Sequence, residues 1–176
     1  MQLQSDILKI RAIDRDDILE VHELHLLPQI DEYNTLGVPA NIEETKVFFE
    51  LWLAGIEDKT KHVFCLENDA GDFVGIAGMN IGKPHYLKAE IWYKIHPAFW
   101  RKGFATEAVR YLLQFGFATL KLHRIEAGCA TENIGSVKVL EKTGFQKEGL
   151  SRKNLPIRGE WKDNFNFGIL IDEWKK

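Results

Sequence analysis

Between Ile95 and Ala108 the chain reads IHPAFWRKGFATEA, an apolar strand-like run that enters a basic, glycine-containing turn and then a helix. Gly103 permits either sign of φ and, having no Cβ, lets a ligand come close to the backbone; Ala105 is nearly as small. Thr106 stands where the helix begins. The N–H groups of that first turn lack intrahelical partners, and the positive end of the helix dipole lies behind them. Arg101 and Lys102 add charge at the mouth, and the combination suits a phosphate or diphosphate. It is neither a nucleotide P-loop, which needs the Gly-Lys-Ser/Thr ending, nor a Gly-x-Gly-x-x-Gly dinucleotide turn. The spacing alone leaves an ordinary strand-to-helix turn as an equal alternative.

Other reactive side chains offer less. His22 and His25 in HELH share a helical spacing but lack the HExxH arrangement and a third ligand, so they read as a solvated face and no metal is expected. His96 and His123 are lone histidines beside elements. Cys65 and Cys129 each fall in an apolar run, and two thiols in 176 residues make no disulfide framework, which suits a reducing cytoplasm. The 26 acids and 23 bases leave a net charge of -3, so no global field favours nucleic acid or anionic membrane. No window approaches the roughly 18 apolar residues of a membrane span. At 45% apolar, 176 residues bury one sizeable core, and residues 1–176 are expected to form a single domain.

The elements that position the turn follow from periodicity. ILKIRA (7–12) alternates as a half-buried strand, Asp14 caps a helix with Ile18, Val21 and Leu24 on one face, and Pro28 closes it. Residues 28–40 have turn chemistry. Asn41 and Glu44 then form a capping-box pattern opening an aromatic-rich helix to about Ile56. HVFCLE and FVGIAGMNI flank NDAGD as a hairpin, and AEIWYKIHP is a third strand of that series. Residues 105–120 form an amphipathic helix, RIEAGCA a strand, NIGSVKVLEKTGF a helix ended by Gly144, and NFNFGIL a last strand. RKNLPIRGEWKD, before that strand, reads as a charged loop: a solvated hairpin connection, with a rim on the acceptor side as the functional alternative.

WRKGFA, followed by TEA, resembles the pyrophosphate motif Gln/Arg-x-x-Gly-x-Gly/Ala of the GNAT superfamily of acyl-CoA-dependent N-acyltransferases. More narrowly, AEIWYKIHPAFWRKGFATEAVR, TENIGSVKVLEKTGFQKEG and RGEWKDNFNFGIL are similar to the branch of bacterial ribosomal-protein alanine and serine N-acetyltransferases. The likeness covers nearly the whole chain in order. Trp100 departs from the superfamily's Gln/Arg. The resemblance implies an α/β fold: a mostly antiparallel mixed sheet of about seven strands, about four flanking helices, and a splayed V between the fourth and fifth strands. It also implies acetyl-CoA as cosubstrate, its pantetheine paired with the backbone of Tyr93, Lys94 and Ile95. Arg101, Lys102, Gly103, Phe104, Ala105 and Thr106 would hold the pyrophosphate, and Asn133 would bond the pantetheine or a water.

Acyl transfer to nitrogen needs a neutral amine, a polarised thioester and a leaving thiolate met by charge or a proton. Glu90, on the strand facing the opening, is the candidate base through water, with a solvated strand carboxylate as the alternative. Where many superfamily members have a tyrosine acid this chain has Leu140, and Ser136 is the candidate in its place, with helix packing as the alternative. The implied function is N-acetylation of a primary amine, in first place a protein or peptide N-terminal α-amine. A small amine (amino acid, polyamine or drug) and a non-catalytic acyl-CoA-binding module remain as alternatives. A homodimer is compatible with the branch; no nucleic-acid or membrane partner is implied.

Overall fold

The structure, a computed structural model, describes residues 7–174. Strand β1 (Lys9–Ala12) leads into a capping box, in which the Asp14 side chain accepts from the Asp16 N–H and the Asp17 carboxylate accepts from the Asp14 N–H at 2.8 Å. This box opens a 3-10 turn that continues as α1 (Ile18–Leu26). Pro28 does not simply close α1. It starts a further single turn, α2 (Pro28–Asp31), because a first helical position needs no N–H. In α3 (Ile42–Glu57) the Asn41 side chain accepts from the Glu44 N–H as expected, whereas the Glu44 carboxylate takes the N–H of Ala40.

Strands β2 (Lys61–Glu67) and β3 (Phe73–Ile81) form the expected hairpin, closed by Asn68 and Asp72. After β4 (Lys88–Ile95) and the basic turn comes α4 (Phe104–Gln114), whose last stretch, Phe115–Thr119, widens to a π-helical turn. Strand β5 (Arg124–Ala130), α5 (Ile134–Lys142) and a long hairpin of β6 (Gln146–Ile157) and β7 (Glu160–Leu170) complete the chain. The charged segment read as a loop is therefore the paired end of this hairpin, turning only at Arg158 and Gly159.

One seven-stranded sheet runs β1-β2-β3-β4-β5-β7-β6, antiparallel except between β4 and β5. That parallel contact lasts only from Lys88 opposite Arg124 to Ile91 opposite Ala127. Beyond it, β4 stays in register with β3 to Ile95, and β5 with β7 to Ala130. Each arm follows its own antiparallel neighbour, and the twist of the sheet carries them apart. Trp92–Ile95 and Gly128–Ala130 become the two sides of a V.

Helices α4 and α5 pack on one face over a large core that includes Ile91, Ile95, Val109, Leu112, Ile125 and Phe167. Helices α1 and α3 cover part of the other face, where Phe49, Trp52, Val63 and Ile76 are buried and the Trp52 and Trp92 rings lie 5.2 Å apart. Gly78 is required there, since a Cβ would collide with the Trp92 indole. Alternation along β4 therefore sends Ile91, Tyr93 and Ile95 toward α4 and α5, and Glu90, Trp92 and Lys94 to the opposite face. Full burial of each such aliphatic or aromatic side chain contributes roughly 1.5–3 kcal/mol, enough to hold both strand arms rigidly on either side of the opening.

Candidate active site

At the wide end of the V the chain leaves β4 through the basic turn. Proline in the 3-10 turn Pro97–Phe99 and the His96 ring, which accepts from the Ala98 N–H, turn the backbone sharply. Arg101 and Gly103 both have positive φ, 62° and 90°, so the left-handed conformation expected for the glycine is realised. Gly103 is the N-cap of α4 and contributes no capping side chain, so the first N–H groups of α4 are left to an external acceptor. A Cβ at Gly103 would meet only the Ile7 side chain at 3.7 Å; the space before this helix start is open. Arg101 and Lys102 are exposed beside it, while Thr106 is buried. Residues 101–106 thus form a cationic cradle of backbone donors suited to a diphosphate. Trp100, which stands where the superfamily motif has Gln or Arg, points its indole N–H at the Ile95 carbonyl at 2.6 Å and braces the turn against the strand end.

Along β4 the hydrogen-bond register decides what each residue offers. The His96 N–H bonds the Val74 carbonyl and the Lys88 carbonyl accepts from Gly82, so the even-numbered residues of β4 direct their backbone groups to β3. Tyr93 and Ile95 direct theirs to the V. Lys94 does not, and its assignment as a backbone contact across the opening is corrected by this register; the Ile95 carbonyl, for its part, is engaged by Trp100.

The two arms meet through side chains instead. The Tyr93 hydroxyl reaches from β4 to the Ser136 hydroxyl in the first turn of α5, at 2.7 Å. Ser136 is held there because its own N–H donates to the Asn133 side chain, which caps α5. Burial raises the pKa of the Tyr93 phenol, an effect the bond to Ser136 only partly offsets. Cys129, on the free arm of β5, is likewise pushed up by burial. Leu140 is buried in the core under α5.

On the opposite face, beyond α1 and α3, a cleft of about 210 Å³ opens between Glu90, Glu126, Gly128, Glu148 and Asn166. Arg124 bonds both Glu126 and Glu148, and Lys88 bonds Glu126 at 3.1 Å. Burial of Glu126 is outweighed by these bonds, and its pKa is lowered. The Glu90 carboxylate has no hydrogen bond or ion pair with any described residue, its backbone being paired with β3. Although exposed on one side, its carboxylate is raised in pKa, first by burial and then by the Glu126 charge, against the opposing pull of Lys88.

Above this cleft Lys94 enters a polar cluster that no sequence pattern announced. Its ammonium donates to Nε2 of His25 at 2.8 Å and to the Asn34 side-chain oxygen at 2.9 Å. His25 is fully buried, contrary to the solvated face expected of HELH; its Nδ1 lies 2.7 Å from the Val21 carbonyl, which fixes Nδ1 as the protonated nitrogen and Nε2 as the acceptor. Burial, then the charge of Lys94, lowers the His25 pKa to about 4, and burial lowers that of Lys94 to about 7. His22 bonds Thr45 at 2.7 Å. The one available signal was that Lys94 alternates with Trp92 on a face that must be covered. Asn34 belongs to a strap after α2 that spans the V: the Tyr33 hydroxyl donates to the Glu132 carbonyl beyond β5, and Arg158 at the hairpin tip binds Asp31 and the Pro28 carbonyl.

Residues 8–146 match the acetyltransferase (GNAT) domain family. The chain belongs to that family. A probable N-acetyltransferase of Bacillus subtilis, YjcK, is 51% identical over 82 residues, 47% of this chain and 45% of that protein, so the chain spans less than half the length of this relative. An uncharacterized N-acetyltransferase of Bacillus licheniformis, p20, is 28% identical across 98% of this chain and 97% of its own. Among solved structures, the spermidine N-acetyltransferase of Vibrio cholerae in complex with CoA and spermine superposes with a TM-score of 0.85 at 27% identity, covering 94% of this chain and 96% of that one. Mycobacterium smegmatis RimJ in complex with CoA-disulfide gives a TM-score of 0.87 at 25% identity, over 96% and 84%. This GNAT protein is an N-acetyltransferase with the seven-stranded mixed sheet of its structural neighbours, and among the described residues its α-helices number five rather than four through the added turn of α2. Among the described residues no group of His, Cys, Asp and Glu could hold a metal ion, and no helix is long and apolar enough to cross a membrane.

Proposed function

We propose that the protein transfers the acetyl group of acetyl-CoA to the α-amine of a protein or peptide N-terminus. The observation that carries the acceptor class is the charge balance of the cleft beside the V. Glu90, Glu126 and Glu148 are set against Arg124 and Lys88, so one carboxylate, that of Glu90, is left without an ion-pair partner. A single ammonium suits such a cleft; a polyamine with three or four charges would leave most of them unmatched.

In this reading residues 101–106 receive the pyrophosphate on backbone N–H groups and the Arg101 and Lys102 charges, and Gly103 gives the phosphate room. The Tyr93 backbone and the Ile95 N–H line the pantetheine path, and Asn133 closes it at the start of α5. When bound, acetyl-CoA supplies an activated acyl carbon. Glu90 takes the proton of the acceptor ammonium through water; an α-amine with a pKa near ~8 makes a weaker demand on that base than a side-chain amine near ~10.4. The raised pKa of Glu90 brings the base closer to its task.

Support for a small amine as acceptor comes from the spermidine N-acetyltransferase among the structural neighbours. The two readings separate in one assay: CoA release measured with short peptides bearing a free N-terminus, the same peptides blocked at the α-amine, and spermidine. Turnover with free peptides that is lost on blocking supports the proposal, and turnover confined to spermidine overturns it.

A further inference from the structure

The reaction leaves a thiolate at the closed end of the V; Glu90 points away from the face where α4 and α5 pack, and the basic turn lies at the wide end, at the start of α4. The residue that does reach the gap from that side is Tyr93. Its Cα sits just past Ile91, the last β4 residue paired with β5, and its ring crosses from the free arm of β4 to the first turn of α5. There the hydroxyl meets Ser136 at 2.7 Å, next to Cys129 of the opposite arm. Leu140, one to two turns further along α5, is buried in the core and offers no donor.

We propose that the Tyr93 phenol is the hydrogen-bond donor to the departing sulfur and that Ser136 is its positioning partner, holding the ring across the V. This rests on the reading of the V as the acetyl-CoA site. As the acceptor nitrogen forms its bond to the acetyl carbon, the carbon–sulfur bond breaks and its electron pair stays on sulfur. The nitrogen's proton leaves by way of Glu90 and water, and the thiolate, held by the Tyr93 O–H, takes up one proton from solvent as CoA departs. The raised pKa of the phenol keeps the proton on oxygen throughout, so Tyr93 acts as a donor and is not consumed as an acid. Ser136 needs only to accept from or donate to the tyrosine, which its fixed place on the Asn133-capped turn allows.

The test is the pKa of the CoA thiol in the enzyme complex, followed by ultraviolet absorbance of the thiolate after subtraction of the CoA-free protein. Cys129 contributes little in the working range, because burial pushes its own ionisation up; its hydrogen bond with Ser136 and the charge of Lys147 oppose that shift, so Ser136→Ala moves Cys129 further out of the range and Lys147 is the facing cation to keep constant. Removing only the hydroxyl, as in Tyr93→Phe, should raise the bound thiol's pKa by about one pH unit and lower kcat about 10- to 100-fold. CoA affinity by calorimetry and the melting temperature should stay close to wild type. Ser136→Ala should leave the thiol pKa nearer to wild type than to Tyr93→Phe. An unchanged thiol pKa in Tyr93→Phe overturns the assignment, and so does a larger rise in Ser136→Ala, which would make the serine the donor. Failure of wild type to bind CoA at all would instead reject the cofactor reading on which the proposal stands.

Discussion

Replacing Lys94 by methionine should change how stability depends on pH more than it changes stability itself. The ammonium of Lys94 titrates at about 7 in the folded chain, against 10.5 for an ordinary lysine. Between these values the unfolded chain holds a proton that the folded chain has lost, so stability is lowest below pH 7 and rises as pH climbs toward 10.5. For one such group the gain between pH 7 and pH 9 is about 2 kcal/mol. The substitution removes that slope. It also strips two buried acceptors, His25 Nε2 and the Asn34 oxygen, of their donor, at about 1–3 kcal/mol each. That loss is offset near pH 7, where the cost of the charged amine is also removed. The variant should thus lie close to wild type at pH 7 and fall about 2 kcal/mol below it at pH 9. Urea unfolding at the two pH values reads this directly. Staying at or above pH 7 avoids His25, whose titration from 6.5 to about 4 lowers stability only on the acid side. A variant whose stability tracks wild type in parallel from pH 7 to 9 would show that Lys94 is not held in a costly ionised state, and the account of the cluster would fail.

Gly103→Glu should abolish CoA binding in calorimetry, since it directs a carboxylate into the open space before α4; the left-handed φ of 90° adds a stability loss of roughly 1–3 kcal/mol, read in Gly103→Ala as a control. Glu90→Gln should lower kcat by about a hundredfold with CoA affinity unchanged. In wild type, where the deprotonated form is the base, activity should fall on the acid side at a pH above the usual glutamate range, and that limb should vanish in the variant. Arg158→Ala breaks the link from the hairpin tip to Asp31, yet a half-exposed ion pair of this kind should shift unfolding by no more than about 1 kcal/mol; a larger loss in urea titration would mean that the strap is a main support of the fold.

Local signals sufficed for most of what depends on neighbours in sequence, the short helical turn begun by Pro28 being the exception. The alternation of FVGIAGMNI and RIEAGCA, the capping at Asn41 and the glycine before Phe104 each act over one turn or one strand, and each stands in the structure within a residue or two of its expected place. Segment 152–163 is a hairpin connection, as one reading of its charges has it, but the strands pair almost to its tip; a mostly exposed edge hairpin has no hydrophobic period to show how far the pairing runs. HELH was misread outright. A histidine on a helix looks solvated unless a partner from elsewhere buries it, and the partner of His25 is Lys94, on a strand far along the chain. The parting of β4 and β5 was legible only through the family resemblance; no periodicity or composition places it. Each arm is committed to a different antiparallel neighbour, so the opening, the Tyr93–Ser136 bridge across it and the unpaired Glu90 carboxylate beside it exist only once the sheet has been assembled and twisted.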